Sequence, residues 1–205
     1  MLVVVGGHSR NIGKTSVVAG IIGGLRDLHW TAMKITQYGH HVCSRAGAHC
    51  ECADPKRPIA ISEESGDKPD SDSGRFLAAG AVHSYWVRTP AGRLAQALPL
   101  IRPILAKHEN VIVESNSILQ FLKPAACVMV LDGGVADFKR TSLRFLDRAD
   151  FLAVTSDAPL SWPCVSPAIL SGKPMFSAHA PAYQSAALNG AILKVSVSFA
   201  DIPHE

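Results

Sequence analysis

Behind the aliphatic run Leu2-Val3-Val4-Val5 stands Gly6-Gly7-His8-Ser9-Arg10-Asn11-Ile12-Gly13-Lys14-Thr15-Ser16, and no other stretch restricts the fold as much. Four branched aliphatic residues suit a buried strand, the glycine-rich segment a turn, and the apolar-periodic segment from Lys14 a helix. Gly6, Gly7 and Gly13 allow close backbone approach and positive φ, so successive N–H groups can converge on phosphate oxygens. The positive end of the helix adds its partial charge at the same spot. Lys14 is then placed to reach the β- and γ-phosphates as a catalytic cation, and the Thr15 hydroxyl to complete the shell of a Mg²⁺ ion. Gly7, Asn11, Ile12, Gly13, Lys14, Thr15 and Ser16 form the candidate nucleotide-binding set, with Arg10 in the crown of the loop.

Five residues separate Gly7 from Gly13, one more than in the common Gly-x4-Gly-Lys-Ser/Thr loop, and His8 occupies the standard first-glycine position. The longer spacing resembles the Gly-x5-Gly-Lys-Thr loop of dethiobiotin synthetase and its relatives. That resemblance implies an ATP-dependent enzyme acting on a small molecule.

A length of 205 residues suits one α/β domain spanning 1–205. The net charge of +3 is mild and the basic residues are scattered, which argues against nucleic acid as a partner. The first apolar run is short and lacks a basic flank, so it reads as neither signal peptide nor membrane span. The expectation is a cytoplasmic protein whose five cysteines are reduced.

Val17, Val18, Ile21, Ile22 and Leu25 give a helix from Lys14 to Arg26 that packs one side on a sheet, and Trp30 to Thr36 reads as a second strand. Lys34, near its end, is read as capping the sheet rather than facing a nucleotide. Asp72 or Ser73 caps a short helix that Gly80 stops, and a strand follows from His83 to Arg88. Thr89 to His108 is helical, kinked or split at Pro99 and Pro103. Asn110 to Glu114 and Ala126 to Leu131 are buried strands, the second followed by Asp132-Gly133-Gly134. Beyond them lie a helix from Thr141 to Leu146, a strand from Phe151 to the polar end at Asp157, a short helix from Ser161 to Gly172, and strands at Pro174–Ala178 and Ala191–Val197. This alternation predicts an α/β protein with three α/β/α layers and a mostly parallel sheet.

Residues 37 to 72 lack apolar periodicity and exceed an ordinary connection, which points to a functional loop. Cys43, Cys50 and Cys52 with His41 are candidate Zn²⁺ ligands, since thiolates and imidazoles suit that ion. Their Cys-x6-Cys-x-Cys spacing matches no standard finger, and an unmetallated substrate loop is the alternative. Glu63, Glu64, Asp67, Asp70 and Asp72 read as a solvated surface. Cys127 and Cys164 read as packing residues.

An acid ending a strand beside a phosphate loop can stand next to the Mg²⁺ shell, which makes Glu114 the second metal-binding and catalytic candidate. Asp132 is read evenly as a Mg²⁺ or substrate contact or a turn residue. Asp157 can accept two hydrogen bonds from a guanine base. Asp72, Ser73 and Arg75, with Ala79-Gly80-Ala81 and the Lys34-Ile35-Thr36 segment followed by His40-His41, resemble the molybdopterin-guanine dinucleotide biosynthesis protein B family, MobB. Glu114 is also similar to the acid of the Val-Glu-Gly-type strand in both families, although Ser115-Asn116 follows it here. The MobB resemblance implies a P-loop NTPase that leans toward GTP and acts with a partner enzyme of cofactor biosynthesis, accessory to molybdenum-cofactor guanylylation. The functional expectation is Mg-dependent binding and slow hydrolysis of a purine nucleoside triphosphate, GTP or ATP. Alternatives are a dethiobiotin-synthetase-like enzyme and a GTPase that delivers a metal ion through the Cys/His stretch. A homodimer is compatible with the sequence.

Overall fold

The computed structural model describes residues 1–39, 58–66 and 71–200, the last five of these as backbone only. In chain order the elements are β1 (Leu2–Gly7), α1 (Lys14–Gly24), β2 (Thr31–Tyr38), β3 (Ala60–Glu63), α2 (Asp72–Ala79), β4 (His83–Pro90) and α3 (Leu94–Lys107). There follow β5 (Val111–Glu114), β6 (Ala126–Leu131), α4 (Arg140–Phe145), β7 (Phe151–Val154), α5 (Pro167–Ser171), β8 (Met175–Ser177) and α6 (Ala186–Ala200). The strands form one eight-stranded sheet in the order β3-β4-β2-β5-β1-β6-β7-β8. Only β3 against β4 is antiparallel.

The central strands are continuous apolar runs because both faces of the sheet are covered. Val3 and Val5 face α1 and α6, where Val17, Ile21, Ile22, Leu188 and Ile192 pack on them. Val4, Val111 and Val113 face the other way, against Leu94, Ala97, Leu98 and Ile101 of α3. Strand alternation thus sends one run of valines into two cores. The three α/β/α layers match the sequence expectation.

Five expectations need correction. Ala191–Val197 is not a strand but part of α6, because Leu188, Ile192 and Val195 recur at helical spacing and pack against the α1 side of the core. Packing here overrides the strand preference of the β-branched residues. Residues 37–72 are not one irregular connection: β2 continues to Tyr38, and Ala60–Glu63 adds the antiparallel edge strand. Helix α3 stays continuous through Pro99 and Pro103, both on its exposed side, where the carbonyls they leave without an amide face water. The helix expected from Ser161 is only the short α5, and α2 is capped by Ser71, whose hydroxyl accepts from the Gly74 amide at 2.9 Å. Cys127 is a packing residue, as expected, and burial pushes its thiol up to about 12.

Candidate nucleotide site

The Gly-rich loop joins the carboxyl end of β1 to α1, and β5 and β6 flank it. Gly7 leaves room for the lysine that follows the loop: a Cβ there would stand 2.6 Å from Lys14 Cδ. The left-handed residues are Asn11 at φ 55° and Gly13 at φ 84°, which turn the chain into the first helical turn. Lys14 folds back across the loop and donates from Nζ to Ser9 O at 2.5 Å. Burial lowers its ammonium below the ordinary lysine range, Lys34 and Arg10 push the same way, and Glu114 opposes them. Buried Ile12 anchors the loop in the core, and its carbonyl accepts from Thr155 Oγ1 at 3.2 Å.

Three further residues, Asn116, His8 and Ser9, fix the loop from outside. Asn116 Oδ1 accepts from Gly7 N at 2.8 Å while its Nδ2 donates to Gly7 O and Ser142 Oγ, so Asn116 does the work of a missing strand partner. His8 is fully buried between Phe138 and Trp162. Its Nε2 accepts from the Asp132 amide at 3.1 Å, which leaves Nδ1–H to donate to Asp137 O at 2.8 Å. Ser9 Oγ donates to Asp137 Oδ2 at 2.6 Å.

The structure brings the candidates Thr15 and Glu114 together. Thr15 Oγ1 donates to Glu114 Oε2 at 2.8 Å, and the Glu114 side chain is only 6% exposed. Lys34 is not a cap of the sheet. Its Nζ lies 3.0 Å from both Glu114 oxygens, 3.1 Å from Thr15 Oγ1 and 2.5 Å from Asp72 Oδ2. Burial works to lower the Lys34 pKa, but Glu114 and Asp72 outweigh it and hold the ammonium above its ordinary range. Asp72 is therefore part of the site rather than of a solvated surface. Glu63 and Glu64 are likewise engaged, by His83 and by the hydroxyls of Ser71 and Ser73.

A hydroxyl and two carboxylates around one cationic point form a hard-oxygen set, which fits Mg²⁺. Thr15 and Glu114 would hold the ion, and it would supply charge stabilisation on the phosphates.

Other site candidates are less central. Ser16 Oγ accepts from Arg75 Nη2 at 2.8 Å, which ties α2 to α1. Asp157 lies beyond β7 with its carboxylate 96% exposed and 3.5 Å from His179 Nδ1. Asp132 Oδ1 accepts from the Gly134 amide at 2.9 Å, the contact of a turn residue. The Zn²⁺ candidates His41, Cys43, Cys50 and Cys52 lie outside the described residues. Among the described residues there is no group of three His, Cys, Asp or Glu side chains able to hold a metal. Among them, too, no helix is long and apolar enough to cross a membrane.

Lys139 is the cation that sequence reasoning missed. Its amide donates to His8 O at 2.9 Å, and burial together with Lys14 and Arg10 lowers its ammonium to about 8, against Asp137.

No family model and no curated protein matches the sequence. The structure is similar to that of HypB from Helicobacter pylori, solved in complex with nickel, with a TM-score of 0.52 and 12% identity over 99% of this chain and 90% of that one. The fold is that of a P-loop NTPase. A second structure, LpxK from Aquifex aeolicus in complex with ATP, aligns at a TM-score of 0.48 and 20% identity over 86% of this chain, which spans 53% of LpxK. In that fold the Gly7–Ser16 segment joins the first strand to the first helix, and β5, hydrogen-bonded beside β1, ends in Glu114.

Proposed function

We propose that the protein binds a Mg²⁺-complexed purine nucleoside triphosphate, GTP or ATP, and hydrolyses it slowly. The observation that carries this reading is the joint placement of Lys14, folded over Gly7, and the Thr15–Glu114 pair at the amino end of α1. Loop amides and the Lys14 ammonium bind the β- and γ-phosphates, and Thr15 and Glu114 hold the ion. Lys34 keeps the two carboxylates neutralised and then faces the terminal phosphate. Asp157, whose carboxylate is exposed beyond β7, is the group that would accept from guanine.

Support for a MobB-like accessory role, exerted through a partner enzyme, comes from the Asp72–Arg75 segment. Asp72 pairs with Lys34 and Arg75 with Ser16, so the segment that carries that resemblance converges on the nucleotide side of α1. Calorimetry of the folded chain with Mg·GTP and Mg·ATP tests the proposal. Binding of at least one, lost in Lys14→Ala, is expected; absence of heat from both overturns it.

A further inference from the structure

Parallel register aligns Glu114 of β5, Lys34 of β2 and Trp86 of β4 in one row across the sheet, with Ser62 of β3 opposite Trp86. Two residues further on, Thr36, Arg88 and Ala60 form a second row on the same face. The first row begins at the metal and phosphate chemistry, and the second lies about 7 Å beyond it toward the carboxyl ends of β2 and β4.

Arg88 is unusual in this setting. It is half-buried, and its guanidinium lies 4.5 Å from the centre of the Trp86 ring. The indole is itself fixed, donating from Nε1 to Thr36 Oγ1 at 3.0 Å. Arg88 Nε is buried and, among the described residues, finds no hydrogen-bond partner, nor does any carboxylate among them pair with Arg88. The other cations nearby are satisfied: Lys34 by Glu114 and Asp72, Lys14 by Ser9 O. A buried guanidinium N–H without an acceptor is costly, and a planar fork held on an aromatic face is preorganised for an oxyanion.

We propose that Arg88, held by Trp86 and flanked by Thr36 and Ser62, forms a subsite for the carboxylate or phosphate group of a second, small-molecule ligand beside the triphosphate. The subsite follows from the sheet register and the Arg88 environment; only its role as a second-substrate site rests on the nucleotide reading. A ligand anchored there projects along the row toward Lys34 and the terminal phosphate. Planar carboxylate and tetrahedral phosphate share the chemistry Arg88 requires, and the probes separate them.

The test uses the full chain loaded with Mg·ADP and titrated, at constant ionic strength, with succinate and separately with inorganic phosphate, with tryptophan emission as the readout. At least one anion should give a saturable change that is absent in Trp86→Phe. Arg88→Gln should raise the half-saturation point about tenfold or more, with Arg88→Lys intermediate, while Mg·ADP affinity measured by calorimetry is unchanged. No saturable change with either anion, or equal midpoints in wild type and Arg88→Gln, overturns the subsite. If Mg·ADP fails to bind, the nucleotide reading falls instead, and succinate titration of Lys14→Ala still judges Arg88.

Discussion

Lys139 offers the sharpest test of the phosphate site, because its ionisation reports whether an anion has arrived. In the ligand-free protein its ammonium is brought to about 8, first by burial and then by the Lys14 and Arg10 charges, with Asp137 opposing. A triphosphate in the loop reverses the electrostatic part and favours the charged form. If the ordinary lysine value returns, binding takes up about half a proton at pH 8, about a tenth at pH 7 and nearly one at pH 9. Calorimetry at pH 8 in two buffers of different ionisation enthalpy reads this number directly from the difference in apparent heat. Lys14 is present in both wild type and Lys139→Met, so the difference between the two proteins isolates Lys139. Equal proton uptake in the two would refute the reasoning. The same shift has a stability consequence of defined sign. Between pH 8 and 10.5 the unfolded chain binds more protons at this position than the native one, so the ligand-free protein should gain stability as pH rises through that window. Lys139→Met should lack that part of the slope in denaturation curves taken from pH 7 to 10.

Lys14→Ala should abolish triphosphate binding by calorimetry while the far-ultraviolet spectrum stays native. Lys34→Met leaves Glu114 and Asp72 facing each other without their cation, and should cost roughly 3–5 kcal/mol in urea denaturation; Lys34→Met with Glu114→Gln should recover part of that loss. Asn116→Ala strips the Gly7 amide of its acceptor and should cost about 1–3 kcal/mol, with weaker nucleotide binding as the loop loosens. Gly20→Ala sets a Cβ 2.2 Å from the Tyr183 carbonyl, so it should lower Tm although alanine favours helix.

What was legible in the sequence had a local cause. The β1–loop–α1 unit and the buried runs at 111–114 and 126–131 follow from residue periods and turn chemistry that need no knowledge of distant partners. Glu114 could be placed beside Thr15 because loop and acid-terminated strand come in the usual order. Lys34 and Lys139 could not be read the same way, since each owes its role to elements far along the chain. For Lys34 these are Glu114 and the first residue of α2; for Lys139, the crown of the loop. Ser115-Asn116 likewise departs from the glycine that follows the acid in the families resembled, yet Asn116 supplies the side chain that holds Gly7 on both its amide and its carbonyl. The terminal segment is helical although Ile192 and Val195 carry strand preference, because their spacing from Leu188 answers to α1.

The histidine at the standard first-glycine position follows from the same geometry. A glycine is needed where backbone must approach the ligand side or take positive φ, and here those demands fall on Gly7 and on Asn11 and Gly13. The His8 amide donates to Val130 O at 3.1 Å, prolonging the pairing of β1 with β6 by one residue. The His8 side chain therefore turns into the pocket of Phe138 and Trp162. Once there, the ring must stay neutral, because its Nε2 accepts from an amide that a second ring proton would oppose. Burial, which lowers the His8 pKa against the opposing effect of Asp137 and Asp132, favours that neutral form. The imidazole thus joins this extension of the β1–β6 pairing to the 132–137 segment, Nε2 accepting from the Asp132 amide and Nδ1 donating to the Asp137 carbonyl.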